Sequence, residues 1–433
     1  MRIAFATLHY PSHLHAATSL ARKVRERGYD VFFLGVPDAE AAVRAAGIEF
    51  HPVAAREFPA GSFRERDAQL AKLNGMAGFR FALDSMCSAF DAVARDAPEV
   101  LRAAGAEAAV FDQLGSGYTA GARRLGLPII HFMPALPGNP WDSAPPGVFG
   151  WPYRAGLLGR LRNRAGHALV RVMIRPFRAR IFDYYRQHGL PLDLDSPAFG
   201  CSTLAQITQM PAAFDFPNPD LPSWFHHTGP FDDGHGRSDV SFPWDQLSGE
   251  PLIYASMGTL QNGIEQVFRT IAEACEGLGC QLVLSGGGSA TLGNLGPLPG
   301  NCLAVGYAPQ LELLRRAALC ISHAGPNTVY ESLAAGVPMV AIPVTNDQPG
   351  TAARIAYTGT GVVVPFKRLN AARLRSAVRQ VLQDDAYREN ARRLQAAITG
   401  ARGLERAAEI IDGCFGPLRD ARPAPAPSER RSA

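Results

Sequence analysis

The sequence predicts an α/β chain with parallel sheets, and three observations carry that prediction. Short apolar runs of strand length alternate with helix-length segments. Their connections are short, which commits each strand–helix–strand unit to parallel pairing. The alternation comes in two series, one from the first residue and one from about residue 251, so two Rossmann-like domains are expected. A length of 433 residues, 47% of them hydrophobic and 19% charged, suits two sizeable globular domains.

In order, Ile3 to Leu8 reads as a strand and about Leu14 to Arg27 as a helix, which Gly28 stops. Asp30-Val-Phe-Phe-Leu-Gly opens the next strand. Ala108 to Asp112 repeats the pattern, followed by a helix and the strand Pro128-Ile-Ile-His-Phe. The second series has strands at Leu252–Ser256, Gln281–Ser285, Leu319–Ser322 and Met339–Ile342, with a helix from Gly263 to Gly277. The polar, Gly-containing stretch from Asp232 reads as a linker. The expected division is a first domain over 1–231, a linker over 232–250, a second domain over 251–416 and a disordered Pro/Ala/Ser-rich tail over 417–433.

Residues 143–182 depart from this rhythm. They carry eight arginines (Arg154 to Arg180) interleaved with Leu, Val and Met, and no Asp or Glu. Such a segment suits either a solvated helical face or a peripheral contact with an anionic membrane.

Composition excludes several classes. The net charge of +4, from 43 basic and 39 acidic residues, is too weak by itself to argue for nucleic acid, whose binders usually present a clustered basic face. Seven scattered cysteines without a CxxC pair argue against a disulfide framework and a zinc site. No signal peptide or run of about 18–20 apolar residues is present, so a soluble cytoplasmic protein is expected. Gly115-Ser-Gly-Tyr-Thr-Ala-Gly121 misses the dinucleotide fingerprint by one residue, and Gly286-Gly-Gly288 lacks the lysine of a P-loop.

Chemistry concentrates in Tyr307-Ala-Pro-Gln310, His323-Ala-Gly-Pro-Asn-Thr-Val-Tyr-Glu331 and Asn346-Asp-Gln-Pro349. A strand ends before His323, and Ala324 to Asn327 forms the turn opening a helix. The free N–H groups and positive dipole end of a helix N-terminus suit a diphosphate. Asn327 and Thr328 add donors in the first turn, and Glu331 one turn on is placed for ribose hydroxyls. Near the N-terminus, Pro11-Ser-His-Leu-His15 lies between the first strand and first helix. His13 there stands beside His9 and His15, and Asp112 ends a strand at the same sheet edge, where it also suits a helix N-cap.

These runs resemble the donor-binding signature of the family 1 UDP-glycosyltransferases, which implies the GT-B fold of two Rossmann-like domains facing across a cleft. The resemblance implies that Tyr307 stacks on uracil, that Gln310 sits at base and ribose, and that His323, Gly325, Asn327 and Thr328 serve the diphosphate. Glu331 would take the ribose, Asp347 and Gln348 the hydroxyls of the transferred sugar, and Thr259 of Ser256-Met-Gly-Thr259 the phosphates. His13 would be the general base, oriented by Asp112, in an inverting transfer. Pro326 departs from the Trp of plant members.

Within the family the chain is most similar to the bacterial enzymes that glucosylate hydroxylated carotenoids. Ser12-His13, Asp112-Gln113, Ser202 to Gln209, Phe214 to Pro217, Phe225 to Pro230, Ala255 to Gln261 and Asp347 to Arg354 carry that likeness. It implies UDP-glucose as co-substrate, no metal or other cofactor, and a small lipophilic hydroxylated acceptor. A pterin, phenolic, polyketide or lipid acceptor is the alternative, and a silent nucleotide-sugar-binding protein and an epimerase are rival readings of the same fold.

Overall fold

The computed structural model describes residues 1–70, 75–191, 204–235, 240–258, 265–287 and 295–420. The first half comprises β1 (Arg2–Ala6), α1 (Pro11–Glu26), β2 (Asp30–Gly35), α2 (Glu40–Ala45), β3 (Glu49–Pro52), α3 (Ser62–Leu70) and α4 (Gly75–Ala103). There follow β4 (Ala108–Asp112), α5 (Ser116–Arg124), β5 (Ile129–Met133), α6 (Gly156–Met173), α7 (Arg175–Gln187), β6 (Gln206–Thr208) and β7 (Phe225–His227). Its strands form one parallel sheet, ordered β3-β2-β1-β4-β5-β6-β7.

The second half has β8 (Leu252–Ser256), α8 (Glu265–Cys275), β9 (Gln281–Ser285), β10 (Cys302–Val305), α9 (Gln310–Arg316), β11 (Ala317–Ser322) and α10 (Pro326–Ala334). It continues with β12 (Met339–Ala341), α11 (Gln348–Tyr357), β13 (Gly361–Val363), α12 (Ala371–Gln383), α13 (Asp385–Ala401) and α14 (Gly403–Asp420). This sheet is also parallel, in the order β10-β9-β8-β11-β12-β13. The α/β class and the two Rossmann-like sheets expected from sequence are therefore present.

Both sheets are covered on both faces, which is why their strands read as continuous apolar runs. Ile3 and Phe5 enter one core cluster of the first sheet while Ala4 and Ala6 enter the other. In the second sheet Leu252 and Tyr254 alternate likewise with Ile253 and Ala255. Leu136, Met210 and Phe214 of the first half belong to the second half's cluster, so the halves share an apolar contact. Beside it, buried Arg354 of α11 makes a 2.7 Å ion pair with Asp215 and lies over the Phe216 ring.

Four sequence expectations change. β1 stops at Ala6 rather than Leu8, because Thr7 leaves the ladder to hydrogen-bond Asp112. α1 begins at Pro11, three residues early, because proline is preorganised for the first helical position. His13 consequently lies in the first turn of α1 rather than in the preceding loop. The division at 416 also needs correction. α14 carries Leu404, Ala407, Ile411 and Phe415 into the first domain's core against α1, because its apolar stripe finds cover there. Finally, 417–420 continue α14, while 421–433 lie outside the described residues.

The return to the first domain turns at Arg402, whose φ is +49°. The Gly403 backbone then packs on Gly229, where a Cβ would come within 2.5 Å of the Gly229 carbonyl carbon.

Candidate active site

In each sheet the strand order reverses beside the first strand, between β1 and β4 and between β8 and β11. Loops leaving the carboxyl ends of such a pair diverge to opposite sides and leave a crevice, the usual ligand position in open α/β sheets. His13 follows β1 and Asp112 ends β4. Gly258 follows β8 and His323 follows β11.

The first crevice holds a tight polar cluster. The His13 Nδ1 lies 2.7 Å from Asp112 Oδ2, and the Thr7 hydroxyl donates to the same oxygen at 2.5 Å. The Leu114 N–H donates to Asp112 Oδ1 at 2.9 Å. Asp112 is fully buried and its carboxylate is held from both ends, while the His13 side chain keeps 13% exposure. With Nδ1–H directed at the carboxylate, Nε2 is the basic nitrogen left for a substrate. The neighbours His9 and His15 lie nearer other acids, 3.9 Å from Asp67 and 3.4 Å from Asp232.

In the second crevice the His323 ring sits between two glycines. A Cβ on Gly258 would come 2.5 Å from its Cε1, and a Cβ on Gly325 would collide with the ring. Burial pushes the His323 imidazole down to about 4, against an opposing hydrogen bond with the Ser256 backbone. Among the described residues its Nδ1 is buried without a partner. Ala324 takes a left-handed φ of +62°, and α10 starts at Pro326 with no side chain capping it. The first-turn N–H groups at Asn327 and Thr328 are thus left to a ligand or solvent.

The remaining expected residues surround this turn. Tyr307 is 53% exposed and Thr328 is buried. Gln310 donates to the Glu331 carboxylate and accepts from the Tyr254 hydroxyl at 2.8 Å, so the two expected base and ribose residues are already joined. Gln348 spends its carbonyl on the Val344 and Thr345 N–H groups at 2.8 and 2.9 Å, leaving its amide as donor. Burial pushes the Asp347 carboxyl up, while the Leu136 N–H and the nearby His13 charge pull it down. Thr259 lies outside the described residues.

Bonds across the cleft bring the two crevices together. Leu136 N–H donates to Asp347 Oδ2 at 3.1 Å, and the Asn327 amide donates to the Ser12 carbonyl at 2.9 Å. Sequence reasoning missed Thr7, Leu136 and Gln209. Gln209 donates to the Pro134 carbonyl at 2.6 Å and to the Asn327 side chain. It ends the Ser202–Gln209 phrase, the one signal that could have marked it.

Comparison with known proteins bears on the family and the fold. A family model described as UDP-glucoronosyl and UDP-glucosyl transferase matches residues 159–401. The zeaxanthin glucosyltransferase of Pantoea ananas is 30% identical over 404 residues, 93% of this chain and 93% of its own length. The 4'-demethylrebeccamycin synthase of Lentzea aerocolonigenes is 28% identical over 95% of this chain and 99% of its own. Among solved structures, the kitacinnamycin glycotransferase shares the fold at a TM-score of 0.73. It is 23% identical and covers 95% of this chain and 98% of its own.

Proposed function

The chain belongs to the UDP-glucoronosyl and UDP-glucosyl transferase family and is a glycosyltransferase; on that premise we propose that it moves glucose from UDP-glucose to a hydroxyl of a lipophilic small molecule, foremost a hydroxylated carotenoid such as zeaxanthin. The observation that carries the catalytic reading is the 2.7 Å His13–Asp112 pair at the first switch point. His13 Nε2 takes the proton of the acceptor hydroxyl as its oxygen attacks the anomeric carbon. The bond to UDP breaks on the opposite face, its electron pair passing to the β-phosphate oxygen, and the configuration inverts. Asp112 holds the tautomer and stabilises the imidazolium.

Departing UDP is received by the N-terminus of α10 with Asn327, Thr328 and neutral His323, without a metal ion. Tyr307 offers its exposed face to the base, Gln310 and Glu331 hold the ribose, and Asp347 and Gln348 take sugar hydroxyls. The likeness to a zeaxanthin glucosyltransferase supports the acceptor class. Among the described residues no helix is long and apolar enough to cross a membrane.

The test incubates the protein with UDP-glucose and detergent-solubilised zeaxanthin, reading UDP and glycosides by mass. Zeaxanthin glucosides absent from the His13→Ala reaction are expected. UDP release without a carotenoid glycoside would overturn the acceptor, and unchanged turnover in His13→Ala would overturn the base.

A further inference from the structure

Helix α6 lies with its apolar side outward. Leu157, Leu158, Leu161, Leu169 and Val172 are each at least half exposed, Leu158 at 83%. At about 100° per residue they share one arc of about 120°. The buried side is instead Gly159, Asn163 and Gly166. A Cβ on Gly166 would come 2.7 Å from the Trp151 ring, and one on Gly159 would run into the Arg154 carbonyl. The Asn163 amide donates to the Asp142 carbonyl at 2.9 Å. Small residues and a satisfied amide therefore fix which side of α6 faces the protein, the reverse of the usual surface helix.

Arginines border the apolar arc, Arg160, Arg164 and Arg171 on one edge and Arg162 on the other. Arg160 pairs with Asp142 and Asp220, and Arg162 lies over Trp151. Arg164, Arg171 and Arg175 of the adjoining α7 have no ion pair among the described residues, and no acidic residue occurs from 143 to 182. A contiguous exposed apolar patch beside unpaired cations suits an anionic lipid surface. Two-fold pairing with a second copy would appose the same arginines and repel. The segment entering α6 also reaches the cleft: Leu136 bonds Asp347, and Gly147 packs on Gly350 so closely that a Cβ there would lie 2.5 Å from its Cα.

We propose that the outward face of α6 docks the protein on an anionic lipid bilayer, with its leucines and Val172 at the acyl boundary and its arginines at headgroup phosphates. The docking requires no particular acceptor. Its use, presenting a lipophilic acceptor to the cleft, rests on the function proposed above.

The full chain is sedimented with vesicles of phosphatidylcholine alone and with about one third phosphatidylglycerol. Binding to the anionic vesicles, weakened by salt, is expected. Leu158→Ser/Val172→Ser and Arg164→Glu/Arg171→Glu should each lower the bound fraction about tenfold, with UDP affinity and thermal midpoint unchanged. Absence of anionic-vesicle binding, or equal binding by both variants, would overturn the proposal. So would a wild-type dimer in light scattering that these variants convert to monomer. Vesicle binding without any carotenoid glycoside would keep the docking and reject only the acceptor.

Discussion

Asp112→Asn removes one charge from the cleft and almost no volume. Asp112 is fully buried, and its Oδ2 receives both Thr7 and His13 while Oδ1 receives the Leu114 N–H. An amide NH2 placed at the Oδ1 position would face a backbone N–H, an unsatisfied buried contact costing about 1–3 kcal/mol. It therefore goes to the Oδ2 position, where the rotatable Thr7 hydroxyl can accept. His13 Nδ1 must then accept as well, so its proton moves to Nε2, the nitrogen that should take the acceptor's proton. The lost imidazolium–carboxylate attraction is about 4 kcal/mol at a charge separation of about 4 Å and an effective dielectric near 20. That corresponds to a rate loss of about a thousandfold. The assay measures UDP release at saturating donor and acceptor, with UDP affinity by calorimetry and the thermal midpoint as controls. UDP affinity should hold, because Asp112 belongs to the other crevice. Turnover within tenfold of wild type, in a folded variant, would refute the dyad.

Gly258→Ala places a Cβ 2.5 Å from the His323 ring at a φ of +73°, so UDP affinity should fall at least about tenfold while turnover at saturating donor falls less, read by titration and kinetics. Arg354→Met leaves the largely buried Asp215 without its guanidinium partner, with His227 at 3.6 Å beside it, and should cost about 3–5 kcal/mol in denaturant unfolding. Burial holds His323 at about 4 and His131 at about 3, below the ordinary 6.5. The unfolded chain thus binds more protons below pH 6.5, and the stability of the neutral rings is lost as pH falls from 6.5 toward 4. Thermal midpoints should drop across that window, and His131→Gln should flatten part of the drop.

Legibility from sequence followed burial. β8 and β9 are readable to the residue because strands covered on both faces are unbroken apolar runs with turn residues at their ends. β6 and β7 have three residues each and carry too little pattern to register. The start of α1 was obscured because Pro11-Ser12 also suits a loop. His13 and Asp112 were separately visible, but their contact spans 99 positions and depends on β1 lying beside β4. Leu136 acts through its backbone N–H, which no side-chain pattern encodes. The amphipathic stripe of α14 shows that one face is buried, not which domain covers it.

That last helix bears on how the protein is made. Ile411 and Phe415 fill the same core as Leu20 and Val24, so the earliest-synthesised domain lacks part of its interior until residues near 415 have left the ribosome. Until then α1 carries an uncovered apolar strip, and the intervening domain must fold first or fold around it. Premature termination just after α13 would therefore injure the domain translated first rather than the one it truncates.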